Sequence, residues 1–245
     1  MSVVPGGGAS GNGLRAGRFI TFEGGEGAGK STLVAAVAAC LRGGGLEVVV
    51  TREPGGTPGA DLLRGLFARP AEGDPWLPMT EALLVSAARA QHLGRVVLPA
   101  LARGAWVLCD RYADSTRVYQ GAGGGIGGGV LEELIALSTG GLAPDLTLVL
   151  DLEPEVAIAR IAAARGKRAD EVGRYDGEPL AAHAARREAY LGVAARFPER
   201  CRVLDAALAP GLLAAAALRA LAGTYGREIC PVTREVHAAV ALPDK

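Results

Sequence analysis

A short apolar run, RFITFE (18–23), passes directly into GGEGAGKST (24–32) and then into an alanine-rich helical pattern. No other stretch constrains the fold as tightly. Gly24-x-x-x-x-Gly29-Lys30-Ser31, set between a strand and a helix, is a phosphate cradle. Its glycines let successive backbone amides turn inward without a side-chain clash. The helix that follows adds its positive end at the same point. Lys30 is placed to reach the β- and γ-phosphates of a nucleotide, and the Ser31 hydroxyl to meet magnesium. Only three of the 26 basic residues are lysines, so a lysine here is not a by-product of composition. Glu26 is the anomaly. A carboxylate beside a triphosphate is repelled unless it has a task. It accepts from a substrate hydroxyl, or helps to hold magnesium, or points to solvent, and the loop alone leaves these open.

The rest of the chain alternates. Strands are expected at 18–23, 46–51, 105–110, 145–152 and 201–206. Helices are expected at 31–42, 61–67, 80–101 and 211–222, and the glycine run GAGGGIGGG (121–129) reads as a loop. Short apolar strands separated by helices imply an α/β fold, a parallel sheet with helices on both faces. With 49% apolar but only 4% aromatic residues, its core must be built from Ala, Val, Leu and Ile. Residues 1–17 are flexible by composition, 18–225 form the domain, and 226–245 carry no pattern and read as a tail.

Three further segments fall at strand ends, where open α/β sheets bind ligands. TREPGGT (51–57) follows the second strand, and its Glu53-Pro54 pair sets an extended bend. SAARAQ (86–91) carries Arg89 on a helix. DRYADSTRVYQG (110–121) follows the third strand. There Asp110 and Arg111 pair a metal- or water-ordering carboxylate with a phosphate-binding fork. Thr116, Tyr119 and Gln120 offer groups suited to the edge of a base.

Taken together, FEGGEGAGKST, TREPGGT, AARAQH, DRYADSTRVYQG, PDLTLVLDL and RYDGEPLAAH resemble the bacterial thymidylate kinase family, in the family's order, over about residues 18 to 224. The resemblance implies a five-stranded parallel sheet of the P-loop kinase type with a helical lid, usually as a homodimer. It implies transfer of the γ-phosphoryl group of ATP to dTMP, giving dTDP, with Mg2+. ATP then falls to Gly24, Gly25, Glu26, Gly27, Ala28, Gly29, Lys30, Ser31 and Thr32, with Arg168 from the lid. Glu26 falls near the nucleoside 3′-hydroxyl and the metal, with Ser31 as the other metal-side residue. The acceptor nucleotide falls to Glu53, Pro54, Arg64, Val85, Arg89, Asp110, Arg111, Thr116, Tyr119 and Gln120. Packing against the Tyr119 ring would disfavour a 2′-hydroxyl.

The arginine-rich region at about 160–187 reads, by composition, as a charge-mixed helical hairpin. The resemblance makes it a lid over ATP. This phosphate loop has no basic residue at its variable positions, so a lid cation is required. Arg174 is the first candidate for catalysis beside Lys30, Arg111 and Glu26, and Arg168 the second. The family's phenylalanine four residues before Arg89 is Val85 here, Gly124 stands where an arginine is common, and Val118 replaces a common alanine. Base choice is where these changes bear. A kinase for another nucleotide or deoxynucleoside, or an ATP-binding regulator on the same scaffold, are the competing functions.

Formal net charge is zero, which removes any global pull toward nucleic acid or membrane surfaces. No apolar run reaches the ~20 residues of a membrane span, and no signal-like segment opens the chain. Cys40, Cys109, Cys201 and Cys230 form no C-x-x-C pair and are expected reduced, in a cytoplasmic protein.

Overall fold

A computed structural model of the chain describes residues 17–165 and 174–226. The terminal segments expected at 1–17 and 226–245 lie almost wholly outside the described residues. So do residues 166–173 of the expected lid, with Arg168, and Cys230.

Five parallel strands form one sheet in the order β2-β3-β1-β4-β5. They are β1 (Arg18–Gly24), β2 (Val48–Arg52), β3 (Trp106–Asp110), β4 (Leu146–Asp151) and β5 (Cys201–Asp205). The central strand β1 turns its side chains alternately to two cores. Ile20 and Phe22 pack with α1 (Lys30–Gly43) through Leu33, Val34, Val37 and Leu41, and with Leu213, Leu218 and Leu221 of the last helix. Phe19 faces the opposite side, among Leu93, Val97, Leu101, Val107, Tyr112, Leu131 and Ile135. Aliphatic side chains fill both layers, as so few aromatic residues require.

The register places the loops that carry chemistry side by side. Phe22 lies opposite Asp110, Arg52 opposite Asp110, and Gly24 opposite Leu150. The phosphate loop, TREPGGT and DRYADST therefore leave the same edge of the sheet.

Three helical expectations need revision, and one helical segment was not expected. The second helix, α2 (Pro58–Ala68), starts earlier than 61, because Thr57 caps it by accepting from the Ala60 amide at 3.1 Å. The single helix expected at 80–101 is α3 (Pro78–His92), a π-helical stretch (Leu93–Val97) and α4 (Leu98–Ala102). Pro99 lacks the amide that would close an i→i−4 bond, and the helix widens just ahead of it. A short α5 (Ala113–Thr116) runs into a second π-helical stretch (Arg117–Ala122). Finally, the glycine run at 121–129 is not one loop. Its start is π-helical, and Gly128 opens α6 (Gly128–Thr139), whose Leu131, Ile135 and Ser138 are buried at helical spacing. The described residues end with α7 (Pro154–Arg165), α8 (Leu180–Arg196) and α9 (Pro210–Tyr225). Among the described residues no helix is long and apolar enough to cross a membrane.

Candidate active site

The phosphate loop is held in shape from behind. Gly27 has φ +72°, and a Cβ there would lie 2.6 Å from the Ala157 carbonyl of α7, so only glycine lets the loop sit so close. Lys30 is buried and donates to the carbonyls of Gly24 (3.0 Å) and Gly25 (2.7 Å). Burial and the neighbouring Arg111 push its ammonium down to about 8, against the pull of Asp110, Glu26 and Glu23. The Ser31 hydroxyl donates to Asp110 Oδ2 at 2.8 Å across the β1–β3 edge.

Glu26 does not face solvent. It accepts from the Tyr119 hydroxyl, from Arg111 Nη2 at 3.2 Å and from Arg186 Nη1 at 3.2 Å. Burial opposes its ionisation, but Arg111, Lys30, the Tyr119 hydroxyl and Arg186 outweigh that and hold the carboxyl down to about 2. The structure thus pairs Ser31 with Asp110, whereas Glu26 is engaged by two arginines and a tyrosine.

Arg111 is the hub. Its Nη1 donates to Ser115 Oγ (3.1 Å) and to the Tyr190 hydroxyl (2.7 Å), and its guanidinium lies over the Tyr119 ring at 5.1 Å. Tyr190 comes from α8, which Arg187 fastens to the end of β4 by a two-pronged bond to Asp151 at 2.6 and 3.1 Å.

The second wall is built on one face of α3. Val85, Arg89 and His92 recur at helical spacing and all are buried. Arg89 donates to Glu53 Oε2 (2.8 Å) and to Thr116 Oγ1 (2.8 Å), and its guanidinium lies over the Tyr112 ring at 5.3 Å. His92 bridges Glu53 (Nδ1, 2.9 Å) and Thr51 (Nε2, 2.7 Å). Arg89 Nη1 is buried and has no hydrogen-bond partner among the described residues. Arg64 of α2 donates to the Pro54 carbonyl at 2.9 Å, across a cis Glu53-Pro54 bond. Burial, Arg52 and Arg111 all lower its pKa, and Asp61 and Asp110 oppose them. Gln120 is buried in the second π-helical stretch, close to Tyr119 in sequence.

TREPGGT owes its second glycine to this wall. Gly56 has φ +87°, and a Cβ there would stand 2.6 Å from Thr51 Oγ1 and 2.7 Å from His92 Cδ2. We expect Gly56→Ala to destabilise the protein by about 2–4 kcal/mol, measured by urea unfolding. An unchanged midpoint would contradict this packing.

Arg174 is not at the phosphate loop. It donates to the Phe67 carbonyl (2.6 Å) and pairs with Glu81, and it stacks on Phe67 at 5.0 Å, on the α2–α3 side. Tyr175 beside it lies against the Tyr119 ring, centroids 4.7 Å apart. Burial and Glu81 push the Tyr175 hydroxyl up to about 12. The described end of the expected lid therefore roofs the tyrosine wall. Arg186, stacked on Tyr119 (5.2 Å) and Tyr175 (5.0 Å), is the α8 arginine that reaches Glu26. Sequence reasoning also passed over Glu23, Ser115, Tyr190 and His92. Glu23, a carboxylate near the end of an otherwise apolar strand, carried a legible signal. It is fully buried, and burial with the nearby Asp114 pushes it up to about 7, opposed by Arg111, Ser115 and the Tyr112 amide.

Comparison with known proteins bears on the whole domain. The family model described as thymidylate kinase matches residues 22–215. A thymidylate kinase of Caulobacter vibrioides is 52% identical over 190 residues, covering 78% of this chain and 88% of that protein. One from Bradyrhizobium diazoefficiens is 46% identical over 198 residues, covering 81% and 86%. The crystal structure of a thymidylate kinase from Ehrlichia chaffeensis superposes with a TM-score of 0.66 at 28% identity, covering 84% of this chain and 98% of that one.

Proposed function

Since this chain belongs to the thymidylate kinase family, we infer that it phosphorylates dTMP by in-line transfer of the γ-phosphoryl group of ATP, in the cleft between the phosphate loop and the α3 wall. The observation that carries this reading is Arg111. One guanidinium reaches Glu26 on the donor loop and the Ser115–Tyr190 pair on the acceptor side.

The acceptor oxygen of dTMP is already anionic, so the reaction needs alignment and charge neutralisation more than a strong base. Lys30 moves from the loop carbonyls onto the β- and γ-phosphates. Arg111 takes the acceptor phosphate, and Arg89 Nη1 with Thr116 faces the base. Tyr119, held by Glu26 and by two stacked guanidinium groups, forms the wall against the sugar, with Glu26 beside its 3′-hydroxyl. Arg186, anchored at Glu26, takes the place proposed for Arg174 as the lid cation. A hydroxyl and a carboxylate 2.8 Å apart, Ser31 and Asp110, suit Mg2+, a hard ion that keeps several waters and completes its shell from phosphate. When bound, it neutralises charge between the β- and γ-phosphates.

A coupled ADP-release assay across nucleoside monophosphates tests this reading. We expect dTMP to exceed dUMP, dGMP and thymidine in kcat/KM. Faster turnover of any of these would move the assignment to another kinase, with Val85 as the changed wall. The chain also pairs with a second copy of itself. Leu62 and Leu66 of α2, Leu83 of α3 and Leu137 of α6 are exposed apolar residues on neighbouring helices, a surface that favours association. Light scattering should give twice the chain mass, and a monomer at every concentration would refute it. Cys40, Cys109 and Cys201 are unpaired thiols, in keeping with action in the reducing cytoplasm.

A further inference from the structure

Two hydroxyls, that of half-buried Ser115 and that of buried Tyr190, lie between Arg111 and Glu23, and the groups at the two ends decide which way their protons point. Glu23 Oε1 accepts from the amides of Tyr112 (2.7 Å) and Ser115 (3.2 Å), and Oε2 accepts from Ser115 Oγ at 2.6 Å. Ser115 Oγ also lies 2.9 Å from the Tyr190 hydroxyl, and both oxygens accept from Arg111 Nη1. A guanidinium only donates, and the Glu23 carboxylate, in the ionised form it takes above about pH 7, only accepts. The Ser115 proton therefore goes to Glu23 and the Tyr190 proton goes to Ser115. Both oxygens then turn lone pairs toward Arg111. The chain has one polarity, and Glu23 sets it.

The same carboxylate shapes the backbone. The Arg111 amide donates to the Phe22 carbonyl at 2.9 Å, and the next amide, that of Tyr112, donates to Glu23. Two consecutive amides are thus pinned to two consecutive residues of β1. Arg111, between them, takes φ +70°, a left-handed conformation that a non-glycine residue adopts only when its surroundings impose it. That turn sends the side chain back over Tyr119 toward the phosphate loop.

We propose that Glu23 is a positioning residue for the transfer: without meeting either nucleotide, it fixes the backbone turn and the hydrogen-bond polarity that hold Arg111 ready for the acceptor phosphate. This role presupposes the reading of Arg111 given above.

Glu23→Gln keeps the size of the side chain and an oxygen for the two amides, but it sets an NH2 group against Ser115. Both ends of the chain then donate, and one hydroxyl proton loses its acceptor. The test is calorimetric titration of the full chain with dTMP and with thymidine, which lacks the phosphate. Glu23→Gln should weaken dTMP about tenfold, the scale of one charge-assisted hydrogen bond, with thymidine changed less than about twofold. KM for dTMP should rise by a larger factor than kcat falls. Ser115→Ala, which removes the bridge but leaves Glu23 on its two amides, should shift the dTMP-to-thymidine ratio the same way, by about threefold. Equal weakening of both ligands, or of neither, overturns the role of Glu23. If Glu23→Gln does not fold, an unaltered ratio in Ser115→Ala overturns it as well. The unsubstituted protein reports separately on the premise: if it binds dTMP no better than thymidine, the phosphate role of Arg111 is what has failed.

Discussion

Lys30→Ala should lower turnover by ~10³-fold or more, the scale for removing a cation that stabilises a phosphoryl-transfer transition state, while the protein stays folded. The two halves of this expectation have separate grounds. Lys30 sits where the phosphate loop meets α1, next to Asp110, Glu26 and Arg111, and a nucleotide's terminal phosphates bring more negative charge there than the loop itself carries. No other lysine lies among the described residues of the chain. Stability is a different matter. The buried ammonium is held below its ordinary range, which means that the fold does not favour its charge. What Ala removes are two bonds to loop carbonyls. We expect a melting temperature within about 5 °C of the parent, and steady-state kinetics beside thermal unfolding measure both. Near-normal rates would contradict the phosphate role of this residue.

Arg111→Ala should cost ~10³-fold in kcat/KM for dTMP, the equivalent of about two charge-assisted hydrogen bonds, and Arg111→Lys should recover little of it. A lysine offers one point charge. Arg111 spreads its donors over Ser115, Tyr190 and Glu26 while its plane lies on Tyr119. The same change has a pH signature. Glu26 is held at about 2, with Arg111 the largest of the groups that lower it. Its folded value is therefore depressed below the ordinary 4.5. The stability it contributes is present above the unfolded value and is lost as pH falls toward 2. Without Arg111 the carboxyl rises, that contribution shrinks, and acid unfolding should begin at a higher pH than in the parent. Kinetics with dTMP and an acid titration followed by circular dichroism check the two expectations. A parent-like kcat/KM would remove Arg111 from the site.

The parallel sheet was legible because short apolar runs alternate with helical ones, and the strand ends that carry chemistry announce themselves by Gly, Pro and charge. Helix α6 was not, because three glycines at its start mask an apolar pattern of ordinary helical spacing from Val130 onward. The residues proposed to meet the nucleotides mostly stood out, since a phosphate loop and an Asp-Arg pair at a strand end are local features. Their supports did not. His92, Ser115 and Tyr190 matter only through partners 41, 92 and 79 residues away, and separations of that size leave no mark on a local pattern. Arg174 and Arg186 show the same limit. Both are lid-region arginines beside carboxylates, and only the packing of α8 against Tyr119 sends one to Glu26 while the other rests on Phe67 and Glu81.

The claim beneath all of this is that one cleft holds two anionic nucleotides end to end, with Lys30 and Arg111 on either side of the transferred group. The most direct measurement is inhibition by adenosine and thymidine joined 5′ to 5′ through five phosphates. The account predicts that this single molecule competes with both ATP and dTMP and binds at least ~10²-fold more tightly than ADP or dTMP alone, because the second contact becomes intramolecular. Competition with only one substrate, or affinity no better than that of the separate halves, would contradict it.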